Sequence, residues 1–297
     1  MLFQLLKMAR PVNIIIAMVT LSIGYYLLSA LPTQEAGLGW ITLILQSIAF
    51  ASAIAFANIQ NDILDLESDR LNRPERPLAS KKVPITVARR ACIALIALAV
   101  TCGVAESLLV KTNPVSSVFF ILLSLVLVAY NIRLKHIPLL KNMTVAVLCT
   151  TPLILCLFYP TGLRETEDFA MDLSDKIGFL YPAMLFAFLL TTSREIYKDL
   201  EDESGDLKAG IMTFPLIAGQ APAKRLAAFL IIFCWAILPI PVIQGYYPTM
   251  FLYITTASFT PILVAILVLA HRKNYRSAQK LVKVAMFAGL ISLVISC

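Results

Sequence analysis

Residues 51–70 read ASAIAFANIQNDILDLESDR, an apolar run that ends in four acidic side chains. A similar stretch, LLTTSREIYKDLEDESGDLK, covers residues 189–208. Both contain the spacing D-x-x-D-x-x-x-D, and the aspartates concerned are Asp62, Asp65, Asp69, Asp199, Asp202 and Asp206. At 100° per residue, the three aspartates of each motif fall on one face of a helix, with Asn61 at its border. The matched spacing indicates an internal repeat, and we call its copies the first and second Asp motifs.

The composition around these motifs is that of a membrane protein. Of the 297 residues, 59% are hydrophobic and 14% are charged, against roughly 45–50% and 25% in soluble domains. This excludes a soluble globule and a disordered chain. The net charge is +7, but the basic residues lie between apolar runs, which is typical of membrane topology. We therefore expect membrane lipids as surroundings and no nucleic-acid partner.

Nine segments have the roughly 20 mostly apolar residues that a spanning helix needs. The spacing predicts an all-α polytopic membrane protein, with nine transmembrane helices around one central cavity. The chain is expected to form a single domain, 1–297, with cytoplasmic Asp-rich loops at about 61–85 and 198–222. The predicted spans are 11–31, 39–60, 86–109, 114–132, 138–158, 178–197, 223–243, 247–270 and 279–297.

The distribution of basic residues predicts the orientation in the membrane. With nine spans, only Lys111, Arg164 and Lys176 of the 25 Lys and Arg residues fall on the side opposite the N-terminus. Because cytoplasmic loops carry the excess of Lys and Arg, the N-terminus and both Asp motifs are predicted to be cytoplasmic. The C-terminus is then on the opposite side. There we also expect a surface loop from Thr161 to Lys176 and a solvated Glu106.

The two Asp motifs are separated by four spans, so both are predicted to emerge on the same membrane face. Six carboxylates close together repel one another strongly and need cations between them. Oxygen ligands of this kind suit Mg²⁺, which binds through carboxylates together with substrate phosphates. A diphosphate is the expected partner. Basic residues flank both motifs, namely Arg73, Arg76, Lys81, Lys82, Arg194, Lys198 and Lys208.

The chain resembles the UbiA superfamily of intramembrane prenyltransferases. The first motif is similar to the superfamily's N-D-x-x-D-x-x-x-D, the second to its K-D-x-x-D-x-x-x-D, and Arg10-Pro11-Val12-Asn13 to its R-P-x-N signature. Three further stretches are most similar to the digeranylgeranylglyceryl phosphate synthase branch. They are Asn72–Leu78, Leu139–Ala146 and Ser193–Asp202.

The resemblance implies Mg²⁺-dependent prenyl transfer from an isoprenoid diphosphate through an allylic carbocation. The implied metal ligands are Asn61, Asp65, Asp69, Asp202 and Asp206, with Asp62 and Asp199 as ligands or their hydrogen-bonded neighbours. Phosphate contacts are expected from Arg73, Arg76, Lys135, Arg194 and Lys198. Tyr130 either faces the carbocation through its ring or is an interfacial tyrosine. Arg10 and Asn13 are expected to orient the acceptor, although Arg10 also fits a positive-inside anchor.

The acceptor stays open at this point. The preferred acceptor is geranylgeranylglyceryl phosphate, whose hydroxyl would be alkylated in ether-lipid synthesis. An aromatic acceptor, such as a hydroxybenzoate or a quinone precursor, is the alternative. A cation transporter is a third possibility, but its sites lie near the bilayer midplane, whereas these motifs follow the spans. Donor chain length and oligomeric state are not determined by the sequence.

Overall fold

The computed structural model describes residues 1–29, 40–109, 114–158, 168–208 and 210–296, which form α-helices and no strand. A short 3₁₀ turn covers Leu134–His136. The helices are α1 (Leu2–Ala9), α2 (Pro11–Ser29), α3 (Trp40–Leu64), α4 (Leu66–Asn72), α5 (Ile85–Leu109), α6 (Val115–Ile132), α7 (Leu140–Phe158), α8 (Asp168–Lys208), α9 (Phe214–Ala218), α10 (Gln220–Ala236), α11 (Ile240–Ile243), α12 (Thr249–His271) and α13 (Tyr275–Ser296).

Within these residues, nine helical segments are long and apolar enough to cross a bilayer, which confirms the predicted all-α membrane class. Their bounds follow the predicted spans within a few residues, except in α8. With 41 residues, α8 is about 60 Å long, twice the roughly 30 Å of hydrocarbon. It therefore extends beyond the bilayer and carries the second Asp motif on its last turns.

The predicted Asp-rich loops are helical at the motifs themselves. Asn61 and Asp62 belong to the last turn of α3, Asp69 lies in α4, and residues 199–206 are all part of α8. Between α4 and α5, residues 73–84 form turns, and 210–213 separate α8 from α9. The loop prediction was wrong there because polar side chains at helical spacing continue a helix into solvent without breaking it.

The chain divides into two compact units. The first contains α1, the start of α2, and α3 to α6, in which α3 packs against α5 and α6. The second contains the rest of α2 and α7 to α13, in which α8 packs against α10 and α13. Each unit carries one Asp motif. The single domain of residues 1–297 stays a prediction.

Charges expected on the outer side are partly buried. Glu106 and Lys176 are each 2% exposed, so the expectation of a solvated Glu106 was wrong. The expected loop from Thr161 to Lys176 is helical from Asp168 onward, and residues 161–167 lie outside the described part of the chain. Lys111 and Arg164 lie there too. Hydrophobic periodicity does not predict this burial, because it does not indicate which charged side chains pack against another helix.

Pro152 lies inside α7 without ending the helix. A proline has no N–H to donate to the carbonyl four residues earlier, here that of Leu148. The hydroxyl of Thr151 donates to this oxygen instead, at 2.7 Å. Neighbouring Ser and Thr side chains commonly satisfy such freed groups in transmembrane helices.

We expect Thr151→Val to lower the free energy of unfolding by about 1 kcal/mol, since the carbonyl oxygen of Leu148 loses its donor. The midpoint of thermal unfolding in detergent measures this. Thr144→Val is the matched control, because its hydroxyl bonds to the carbonyl of Leu140 in a turn that contains no proline. Equal effects of both changes would show that the Thr151 hydroxyl has no special role.

Candidate active site

The first Asp motif keeps helical spacing through the junction of α3 and α4. The N–H of Asp65 donates to the carbonyl of Asn61 at 2.9 Å, and the N–H of Asp69 to that of Asp65 at 2.8 Å. Only Asp65 itself lies between the two helices. Because both bonds span four residues, the side chains stay on one face, as the sequence predicts.

Arg76 joins two buried carboxylates of the first motif. Its Nη1 lies 2.6 Å from Oδ2 of Asp69 and 3.3 Å from Oδ1 of Asp62. The two aspartates are 8% and 6% exposed. Buried carboxylates need such charge-assisted hydrogen bonds to remain ionised, and the turns after α4 bring the guanidinium back to them.

Lys135 holds the third aspartate. Its Nζ lies 2.6 Å from Oδ1 of Asp65 and 3.4 Å from Oδ1 of Asn61. The side-chain amide of Asn61 also donates to Oδ2 of Asp65 at 2.8 Å. Lys135 lies in the 3₁₀ turn that follows α6, so residues about 70 positions apart in sequence form one network. Each aspartate of the first motif thus has a cationic partner.

Arg10 lies at the junction of α1 and α2, with a left-handed backbone φ of 57°. Its guanidinium is 3.7 Å from Oδ1 of Asp62. A cavity of about 160 Å³ lies beside this pair, lined by Lys7, Met8, Arg10, Asp62, Glu75, Arg76 and Pro77. Asn13, half-buried, follows in the first turn of α2. The predicted acceptor-orienting residue Arg10 is therefore next to the first motif.

Two further predicted residues lie in the first unit. Tyr130 is half-buried near the end of α6. Its neighbour Asn131 is buried and donates at 2.9 Å to the carbonyl of Ala57 and to Oε1 of Gln60, which ties α6 to α3 just before the motif. Arg73, half-buried, follows α4.

The second Asp motif lies entirely on α8, and α7 supplies its partners. Nζ of Lys141 is 2.8 Å from Oδ1 of Asp199, and the amide of Asn142 donates to Oδ2 of the same residue at 2.9 Å. Asp202 and Asp206 are half-buried further along the helix. The role of Asn142 was missed, although its stretch belongs to those that carry the resemblance.

Arg194 and Lys198 both contact Glu195 on α8. Arg194 forms a close ion pair with Oε1 of Glu195, and Nζ of Lys198 lies 3.7 Å from its Oε2. Glu195 is 8% exposed and is one turn before Asp199. The predicted substrate-binding cations of this unit are thus next to the motif, and Glu195 is an additional buried carboxylate.

The predicted metal ligands would all bind a metal ion through side-chain oxygen atoms. Among the described residues, no three His, Cys, Asp or Glu side chains are grouped so as to hold a metal ion by themselves. Arg76 and Lys135 form ion pairs with carboxylates of the first motif. Mg²⁺ normally binds through one or two carboxylates, waters and substrate phosphates. The donor set therefore fits Mg²⁺ shared with a phosphate, and the ligand assignment stays a prediction.

Comparisons with known proteins agree with the fold. The chain is 30% identical over 292 residues to digeranylgeranylglyceryl phosphate synthase of Methanopyrus kandleri, covering 98% of both chains. A solved structure of digeranylgeranylglyceryl phosphate synthase in membranes matches with TM-score 0.70 at 22% identity, covering 99% of this chain and 98% of the other. A UbiA homolog from Archaeoglobus fulgidus bound to GPP and Mg²⁺ matches with TM-score 0.64 at 16% identity, covering 98% and 99%.

These likenesses extend over almost the whole chain, and the two structural matches show a shared helical architecture. Residues 17–291 match the UbiA prenyltransferase family and include both Asp motifs. This chain is a member of the UbiA prenyltransferase family.

Proposed function

We propose that this protein transfers a geranylgeranyl group from its diphosphate to the hydroxyl of geranylgeranylglyceryl phosphate in the membrane. The carrying observation is the 30% identity, over 98% of both chains, to digeranylgeranylglyceryl phosphate synthase. Membership of a prenyltransferase family favours this reaction over cation transport. The Lys and Arg count supports a cytoplasmic N-terminus and cytoplasmic Asp motifs, with the C-terminus on the opposite side.

The proposed metal is Mg²⁺, as in the Archaeoglobus fulgidus homolog bound to GPP and Mg²⁺. It would be held by Asn61, Asp65, Asp69, Asp202 and Asp206, with Asp62 and Asp199 beside them. Bound there, Mg²⁺ neutralises diphosphate charge and so makes diphosphate a better leaving group.

The cations of each unit support the same chemistry. Lys135 contacts Asp65, and Arg76 contacts Asp62 and Asp69, so each stands within reach of an anion bound at the first motif. Arg73 and Lys198 lie beside the motifs and are proposed to contact the diphosphate, and Arg194 is proposed to contact a substrate phosphate. Preorganised cations of this kind stabilise the charge that develops on a departing diphosphate.

The proposed reaction breaks the bond between C1 of the prenyl chain and the diphosphate oxygen, and the electron pair leaves with the diphosphate. The hydroxyl oxygen of the acceptor then bonds to C1, its O–H bond breaks, and the proton passes to the released diphosphate. Tyr130, near the end of α6, is proposed to face the cation with its ring. Apolar helices exclude the water that would otherwise capture this cation.

A product assay tests the proposal. Purified protein in lipid receives labelled geranylgeranyl diphosphate and Mg²⁺, with either geranylgeranylglyceryl phosphate or 4-hydroxybenzoate, and each arm has an EDTA control. We expect labelled diether from the first acceptor, abolished by EDTA. A labelled aromatic product alone would retain the chemistry and refute the acceptor. Ion flux without any prenyl product would refute transfer altogether.

A further inference from the structure

Three charged side chains come together on two of the helices that are long and apolar enough to cross the membrane: Arg194 and Glu195 on α8 and Lys283 on α13. The two helices pack against each other, with the hydroxyl of Thr191 4.0 Å from the sulfur of Met286. Lys283 lies within electrostatic range of both Arg194 and Glu195. Ionisable residues within membrane spans are costly and usually mark a functional site. We call these three residues the α8–α13 cluster.

The cluster contains donors that its own carboxylate does not satisfy. Glu195 already receives Arg194 and, at 3.7 Å, Lys198. The Nε of Arg194 is nevertheless buried without a hydrogen-bond acceptor. In the described part of the chain, no carboxylate lies within 4.0 Å of Nζ of Lys283. The Nε–H group of Arg194 and the ammonium group of Lys283 therefore have no carboxylate partner among the described residues.

Cations outnumber carboxylates around the cluster by one. Four cations, Lys141, Arg194, Lys198 and Lys283, lie near three carboxylates, Glu195, Asp199 and Asp206. Lys141 is occupied by Asp199 at 2.8 Å. Uncompensated charge inside an apolar bundle is unfavourable, so an anion is expected to balance it. A phosphate monoester carries about −1.5 to −2 at neutral pH, which is enough to balance it.

The cluster is partly exposed. The side chains of Arg194 and Glu195 are 19% and 11% exposed, and Lys283 is half-buried. The cluster is also near the second Asp motif, because Glu195 precedes Asp199 by one helical turn of about 5.4 Å. A phosphate bound there keeps the glycerol hydroxyl of the same molecule close to the motif.

We propose that Arg194 and Lys283 bind the phosphate of the acceptor lipid, and that Glu195 holds the Arg194 guanidinium in place for it. This inference rests on the proposed function, which supplies a phosphate monoester as acceptor. Lys283 then determines specificity for the acceptor, because an acceptor without a phosphate cannot form an ion pair with its ammonium group. Arg194 and Lys283 contact substrate, whereas Glu195 is a positioning residue.

Binding without donor tests the site independently of transfer. Protein in phosphatidylcholine nanodiscs is titrated with geranylgeranylglyceryl phosphate and, separately, with geranylgeranylglycerol. We expect the phosphate form to bind the wild type at least about tenfold more tightly, as one charge-assisted hydrogen bond provides. Lys283→Met and Lys283→Gln should abolish this preference while leaving the alcohol's affinity within about twofold. Lys283→Arg should retain most of it.

Lys280→Met is the matched control, because Lys280 is an exposed lysine one turn earlier on α13 and should leave both affinities unchanged. Equal binding of the two ligands by the wild type would overturn the site, as would an unaltered preference in both Lys283 variants. A preference that disappears in phosphatidylglycerol nanodiscs would assign the cluster to lipid headgroups instead. Phosphate-dependent binding without any diether product would refute the proposed reaction and leave the site standing.

Discussion

Asp65→Asn and Asp202→Asn are each expected to lower prenyl transfer about 10²–10³-fold, the effect of removing one stabilising group from a charged transition state. Each change removes one negative charge from a predicted Mg²⁺ ligand while keeping the shape of the side chain. The rate of diether formation at saturating Mg²⁺ and donor measures the effect. Both residues are only partly buried, so the midpoint of thermal unfolding should stay close to that of the wild type.

Glu67→Gln is the control for this prediction. Glu67 lies two residues from Asp65 on α4 and is exposed, so its neutralisation should leave transfer within about twofold of wild type, since isolated surface charges contribute little. Near wild-type turnover of Asp65→Asn or Asp202→Asn would show that the ligand assignment is wrong. A large fall in the transfer rate with Glu67→Gln would mean that transfer depends on the total negative charge near the motif and not on specific metal ligands.

Arg76→Leu is expected to destabilise the protein as well as inactivate it. The change leaves Asp62 and Asp69 buried without the guanidinium that they share. Breaking a buried ion pair costs about 3–5 kcal/mol, and we expect the lower end because Arg10 remains near Asp62. A fall of several degrees in the midpoint of thermal unfolding, together with loss of transfer, is the expected result.

A rescue experiment separates the structural from the chemical role of Arg76. Adding Asp62→Asn and Asp69→Asn to Arg76→Leu removes the buried charges, so stability should return while transfer stays lost. Arg70→Leu, at an exposed position of α4, should change neither. Unchanged stability of Arg76→Leu alone would mean that these contacts do not hold the first motif together.

Local pattern was enough to predict the spans and the helix face of each motif. The predicted spans agree with the helices because the length of an apolar run is a property of neighbouring residues. The aspartates of the first motif share a face because the backbone bonds of Asp65 and Asp69 keep the helical period. The extent of the Asp-rich loops was not predicted correctly, because acidic side chains are common both in loops and on exposed helix ends, and the helices continue through the motifs.

The sequence by itself determined the membrane class, the nine spans and the repeated acidic faces. Only the tertiary structure decided which cation lies on which carboxylate. Lys135 reaches Asp65 from 70 residues away, and Asn142 reaches Asp199 from 57. Lys283 approaches Arg194 from another helix. These pairings depend on how the helices pack and how each is rotated about its axis against its neighbours. Local periodicity does not determine that rotation, so the pairings are a property of the tertiary structure.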